Sequence, residues 1–130
     1  MAKIDYFQKL IDKINNKSLK VSVIGLGYVG LPLSLFISKK NFLVNGIDLD
    51  KKKILRKYKK NYLSNKIDTK LRETWKKNFK ISGNYKNIPQ SDLIIICVPT
   101  PLLINKTPDL SYLKSVLKNL KGKLSKGTLI

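Results

Sequence analysis

Three glycines carry the most specific chemistry in this chain. In VIGLGYVGLPLSL, residues 23–35, Gly25, Gly27 and Gly30 follow the spacing G-x-G-x-x-G. Alone the pattern is weak. Here it follows a β-branched run and opens an apolar helical one, the context that gives it meaning. In that context Gly25 permits a tight turn, Gly27 leaves no side chain between a pyrophosphate and the backbone, and Gly30 lets the helix pack against the strand. The helix N-terminus then offers free N–H groups and the positive end of its dipole to an anion. An acid is needed about 20 residues further on, and Asp48 stands there in NGIDLD. Its carboxylate can accept both hydroxyls of an adenosine ribose and would repel a 2′-phosphate, which favours NAD over NADP. Lys51, Lys52 and Lys53 offer a charge that offsets this repulsion.

A third segment, CVPTP at Cys97–Pro101, closes a continuous apolar run. In open parallel sheets, ligands bind outside the carboxyl ends of the strands. Two prolines fix an extended path, so the backbone of Val98 and Pro99 and the hydroxyl of Thr100 can face a ribose or nicotinamide. Each feature also has a plainer reading: a glycine turn without a ligand, a rigid loop at 97–101, and Asp50 as a helix N-cap.

The elements that must position these residues follow from periodicity. Ile4, Phe7, Leu10, Ile11 and Ile14 predict an amphipathic helix over 3–17. It would pack on its own domain or a neighbouring subunit; a basic membrane-surface helix is the alternative. KVSVI at 20–24 reads as a strand, 28–40 as a helix with Pro32 in its first turn and Asn41 as a left-handed C-cap, and 42–47 as a second strand. A helix near 50–59 and one marked by Ile67, Leu71 and Trp75 follow, then a short strand at 79–82. DLIIICV at 92–98 predicts a strand buried on both faces. Pro108-Asp109 starts a last helix, and residues 127–130 open a further strand. Alternating strands and helices predict an α/β fold: a Rossmann-like, doubly wound parallel sheet in three α/β/α layers, truncated at the fifth or sixth strand. The expected division is an N-terminal helix at 1–18 and an incomplete dinucleotide-binding domain at 19–130. A chain ending at the start of a strand is expected to be a fragment of a longer protein.

Composition narrows the function classes. The chain has 130 residues, enough for one core, and a formal charge of +19. Arg56 and Arg72 are the only arginines. Arginine is favoured for bidentate phosphate and base contacts, so scattered lysines read as solvated surface and no nucleic-acid partner is expected. No apolar run reaches the roughly 18 residues of a membrane span. There is no histidine, hence no histidine base and no histidine metal site. A single cysteine, Cys97, points to a reducing, cytoplasmic setting.

Taken together, VIGLGYVGLPLSL, VNGIDLDKKKI and CVPTPLLINKTPDLSYL resemble the N-terminal NAD-binding domain of the UDP-glucose/GDP-mannose dehydrogenase family, most of all its bacterial UDP-N-acetylglucosamine 6-dehydrogenase branch. The resemblance covers nearly all of this chain and about the first third of a typical member. It implies oxidation of a UDP-sugar C6 hydroxyl to a carboxylate with two NAD in succession, through a thioester on a cysteine of the C-terminal domain. By position, the pyrophosphate loop is Gly25, Leu26, Gly27, Tyr28, Val29 and Gly30, the ribose acid is Asp48, and Val98, Pro99 and Thr100 form the second cofactor-contacting turn. Lys53 stands where the family often has arginine, keeping the charge and losing the planar fork. Cys97 matches a buried strand position, not the nucleophile, and its apolar neighbours would raise its pKa. No catalytic residue is assigned, and these residues alone are not expected to turn over substrate. The UDP-sugar would be held mainly by the absent half, in a homodimer when full length. The alternatives are a non-catalytic dinucleotide-binding module and a basic nucleic-acid-binding protein.

Overall fold

The computed structural model describes residues 3–130, so the first two residues of the expected 1–18 segment lie outside it. Its centre is a parallel sheet formed by the runs expected from alternation: β1 (Lys20–Ile24), β2 (Leu43–Ile47), β3 (Phe79–Ser82) and β4 (Leu93–Ile96), in the order β3-β2-β1-β4. Val21 stands opposite Val44 and Leu93, and Ile24 opposite Ile47 and Ile96, so these three strands end together. Period-2 alternation sends successive side chains to opposite faces. Val21, Val23, Val44 and Phe79 face one way and pack with Leu31 and Leu35 of α2 (Gly30–Lys39), Ile54 and Tyr58 of α3 (Lys51–Tyr62) and Trp75 of α4 (Thr69–Asn78). Ile24, Ile47 and Ile94 face the other way, against Ile88 in a 3₁₀ turn at Ile88–Gln90 and Val116 and Leu120 of α5 (Ser111–Leu120). The three layers are as the sequence predicts.

Local chemistry sets the element ends. Asp5, Asp50 and Asp68 cap α1 (Tyr6–Asn15), α3 and α4, each accepting a backbone N–H three residues on. Asn41, with φ of 66°, ends α2 in the left-handed conformation.

Four expectations need correction. The first helix covers Tyr6–Asn15 rather than 3–17, and Lys17 leaves it at a φ of 61°. It is only half docked: Leu10 meets the core and Lys13 pairs with Asp92, while Ile4, Phe7 and Ile14 stay exposed. β4 is shorter than 92–98 and only Ile94 is fully buried, because its outer neighbour is a single parallel bridge to Leu129. That bridge is all that forms of the strand expected at 127–130. The last helix begins at Ser111, since Pro108 and Asp109 belong to the preceding loop: Pro108 bridges to Leu102 and the Asp109 N–H donates to the Pro101 carbonyl at 2.7 Å. Among the described residues no helix is long and apolar enough to cross a membrane.

Trp75 joins α4 to α2. Its indole N–H donates to the Leu35 carbonyl at 3.0 Å, and its ring meets Tyr62 edge-on with centroids 5.8 Å apart. Truncating a buried tryptophan costs about 3–5 kcal/mol, a large part of a domain's typical stability of about 5–15 kcal/mol. Trp75→Ala is therefore expected to lower the denaturant midpoint sharply at unchanged slope; a midpoint shifted by less than about 1 kcal/mol-equivalent would contradict this packing.

Candidate cofactor site

The sequence-predicted residues meet at the carboxyl ends of β1, β2 and β4. The chain leaves β1 at Gly25, whose N–H donates to the Ile47 carbonyl at 2.8 Å, and the Cys97 N–H donates to the Ile24 carbonyl at 2.7 Å. Three strand ends are thus joined around one turn. The glycines have three separate reasons to be glycine. Gly25 has a φ of 91°, and a Cβ there would lie 2.8 Å from the Cys97 carbonyl oxygen. At Gly30 a Cβ would lie 1.7 Å from the Gly25 oxygen and 3.2 Å from the Cys97 Cβ, so helix, turn and strand could not close together. At Gly27 a Cβ would meet nothing within 4 Å. The protein itself does not require glycine there; a ligand lying on the backbone would.

Beyond Gly27 the chain is open. Tyr28 is 93% exposed and Val29 66% exposed. α2 starts behind Val29 with no side-chain cap, as α5 does, whereas α1, α3 and α4 each carry one. The uncapped N-terminus and the bare backbone at Gly27 suit a pyrophosphate, which would supply acceptors to the free N–H groups. The ammonium of Lys57, on α3, lies over the Tyr28 ring at 4.8 Å.

Asp48 is half-buried at the end of β2. One carboxylate oxygen accepts the Leu26 N–H at 2.8 Å and the other accepts the Asp50 N–H at 2.9 Å. The phenol of Tyr85 is pushed up in pKa, by burial first and then by the charge of Asp48. Lys53 is exposed, and its backbone N–H donates to Asp50 at 3.2 Å.

Not every expected residue faces the open side. Leu26 is fully buried and its side chain belongs to the core. Val98 is half-buried, with its side chain packed against the second core cluster, leaving only its backbone for the strand ends. Pro99 and Thr100 are exposed beside it. Cys97 has its thiol pKa raised by burial, as its apolar neighbours imply. Among the described residues no group of three His, Cys, Asp or Glu side chains is placed to hold a metal.

Sequence reading missed Gly46. A Cβ there would lie 2.8 Å from both Leu26 and Phe79 side-chain atoms, so this glycine makes room for the buried residue of the turn. A glycine inside a β run, where glycine is disfavoured, was the available signal.

These contacts separate the glycines experimentally. Gly30→Ala is expected to destabilise by more than the usual 1–3 kcal/mol of overpacking, because its new methyl meets backbone. Gly27→Ala is expected to move stability by less than about 1 kcal/mol. Equal losses in a denaturant titration would contradict this assignment. A second check is thiol reactivity: Cys97 is expected to be alkylated by iodoacetamide more slowly than a cysteine in an unfolded peptide at the same pH, and an equal rate would contradict its raised pKa.

Comparison with known proteins shows the family. The chain is 36% identical over 122 residues to a UDP-N-acetyl-D-mannosamine dehydrogenase of Methanocaldococcus jannaschii, covering 89% of this chain and 28% of that protein. It is 33% identical over 117 residues to a UDP-N-acetyl-D-glucosamine 6-dehydrogenase of Salmonella typhi, covering 86% of this chain and 26% of that protein. The solved structure of a UDP-N-acetyl-mannosamine dehydrogenase from Staphylococcus aureus superposes with a TM-score of 0.68 at 28% identity, over 85% of this chain and 27% of that one. The chain therefore spans about a quarter of the length of these relatives. The family model for the NAD binding domain of the UDP-glucose/GDP-mannose dehydrogenases matches residues 19–130, and this chain belongs to that family.

Proposed function

We propose that this chain is the NAD-holding part of a nucleotide-sugar 6-dehydrogenase that oxidises the C6 hydroxyl of a UDP-sugar to the uronic acid. The observation that carries the reading is the convergence of the glycine turn, Asp48 and the chain at Cys97–Val98 at one end of the sheet. In this reading the pyrophosphate lies on the backbone of Gly25–Gly30 at the uncapped start of α2. Asp48 takes the adenosine-ribose hydroxyls with the acceptor positions left over from its two backbone partners, since a carboxylate offers about four. The exposed Lys53 adds positive charge beside the same ribose. Val98, Pro99 and Thr100 border the nicotinamide end. Bound NAD supplies a hydride acceptor; the residues of this chain hold and orient it, and none is assigned a proton-transfer or nucleophilic role.

The names of the relatives favour an N-acetylated UDP-hexosamine, with UDP-glucose as the broader alternative. Sugar contacts, the catalytic groups and a homodimer interface belong, in this proposal, to the parts of the relatives this chain does not span. The setting is cytoplasmic, and no nucleic-acid partner is part of the reading.

The test is calorimetric titration of the 130-residue chain. NAD is expected to bind more tightly than NADP, and Gly27→Val to weaken NAD at least tenfold, about 1.4 kcal/mol, at unchanged melting behaviour. Unchanged NAD affinity in that variant would overturn the site. UDP-N-acetylglucosamine with NAD is expected to give no NADH absorbance with this chain alone; turnover would show that the chain itself carries catalytic groups.

A further inference from the structure

We propose that Asp48 is a positioning residue for the pyrophosphate turn, in addition to any contact it makes with a ribose. The proposal rests on the cofactor reading above and goes beyond it, because it makes Asp48 matter to a ligand that has no ribose hydroxyls to offer.

Both carboxylate oxygens of Asp48 are already engaged by the protein. Oδ2 accepts the Leu26 N–H at 2.8 Å, and Oδ1 accepts the Asp50 N–H at 2.9 Å. Hydrogen bonds to an ionised acceptor are roughly twice as strong as neutral ones. Leu26 sits between Gly25 and Gly27, and its side chain is fully buried, its methyls close against the bare Cα of Gly46. The residue is therefore fixed twice, through its side chain in the core and through its N–H on Asp48. The next residues are held less firmly: the Gly27 carbonyl accepts the Leu31 N–H at 3.3 Å but open space lies where its side chain would stand, and Tyr28 is almost wholly exposed. The backbone that would meet a pyrophosphate is thus held from the first turn of α2 on one side and from Leu26 on the other, and Asp48 holds the Leu26 side. The same carboxylate reaches α3, since Asp50 in turn accepts the Lys53 N–H at 3.2 Å and caps that helix. Asp48 ties the glycine turn to the start of α3, so loss of its carboxylate frees both at once.

The experiment compares wild type, Asp48→Ala and Asp48→Asn with two ligands: NAD, and NAD lacking the 2′ and 3′ hydroxyls of its adenosine ribose. A residue that only reads the ribose leaves the affinity of the dideoxy ligand unchanged when it is removed. A positioning residue does not. Asp48→Ala is expected to bind the dideoxy ligand at least fivefold more weakly than wild type, with Asp48→Asn between them, because the amide keeps one acceptor. Equal dideoxy affinities in the three proteins would overturn the proposal. A ligand-free readout separates its failure from failure of the cofactor reading. Amide exchange at Leu26 and Asp50 is expected to be at least tenfold faster in the variants, while core amides such as Val23 and Ile95 keep their protection. If wild type binds neither ligand, the cofactor reading falls and the exchange data still decide the positioning role. Unchanged exchange at Leu26 and Asp50 would refute it. Should Asp48→Ala fail to fold, Asp48→Asn carries both comparisons.

Discussion

The fold depends on how closely a turn can approach the end of a strand. Gly30 brings the start of α2 so near the Gly25 carbonyl that a single methyl would lie 1.7 Å from it, and a Cβ at Gly25 would lie 2.8 Å from the Cys97 carbonyl oxygen. Closing this gap brings β1, β4 and α2 to one place and leaves the α2 N-terminus pointing out of the sheet. The requirement is steric and absolute at two glycines, and it carries the third. Gly27 lies between these two glycines, with open space where its side chain would stand. Cys97 fits the same constraint: it is a small residue whose Cβ faces the position that any side chain at Gly30 would enter.

Electrostatics then divides the molecule into structure and surface. The chain has only eight acidic residues against twenty-seven basic ones. Each of the eight accepts a hydrogen bond: Asp5, Asp50 and Asp68 at helix starts, Asp12 from Gln8, Glu73 from Lys76, Asp109 from Ser111, Asp92 from Lys13 and the Lys20 backbone, and Asp48 from the turn. Six of the eight, all but Asp12 and Glu73, thus bond backbone donors, most of them at caps and turns where such donors lack partners. The lysines show no comparable assignment, and only two ion pairs form among the described residues. Two charge classes with such different bonding are consistent with a charge of +19 beside the proposed site, in which backbone N–H groups and one carboxylate would do the recognising.

Much of this was legible before the structure, and the reasons differ by element. Val21–Ile24 and Val44–Ile47 are strands because their alternation has two faces to serve, and both faces are covered. The three glycines were readable because sterics at a turn follow from spacing alone. What periodicity could not supply was the surroundings. Ile94–Ile96 look like a strand buried on both sides, yet the outer neighbour of β4 is one bridge, so Ile95 and Ile96 are only half-buried. Ile4, Phe7 and Ile14 share a helical stripe with Leu10, yet the helix meets the domain along the Leu10 side only. Asp48 was recognisable as an acid at the right distance; that one of its oxygens would hold the Leu26 N–H was not, since a side-chain-to-backbone bond over 22 residues leaves no mark in the sequence. Leu26 was counted with its loop, although its side chain belongs to the core.

The account's central claim is that the glycine turn, the acid of β2 and the segment after β4 form one cofactor-binding surface. It is tested most directly by titrating the isotope-labelled chain with NAD and following every backbone amide by nuclear magnetic resonance. The largest shifts are expected on Gly25–Gly30, Asp48, Val98 and Thr100, converging to a single binding curve. Shifts confined to the lysine-rich outer face of α3, or to the opposite end of the sheet around Lys20 and Ser91, would contradict it.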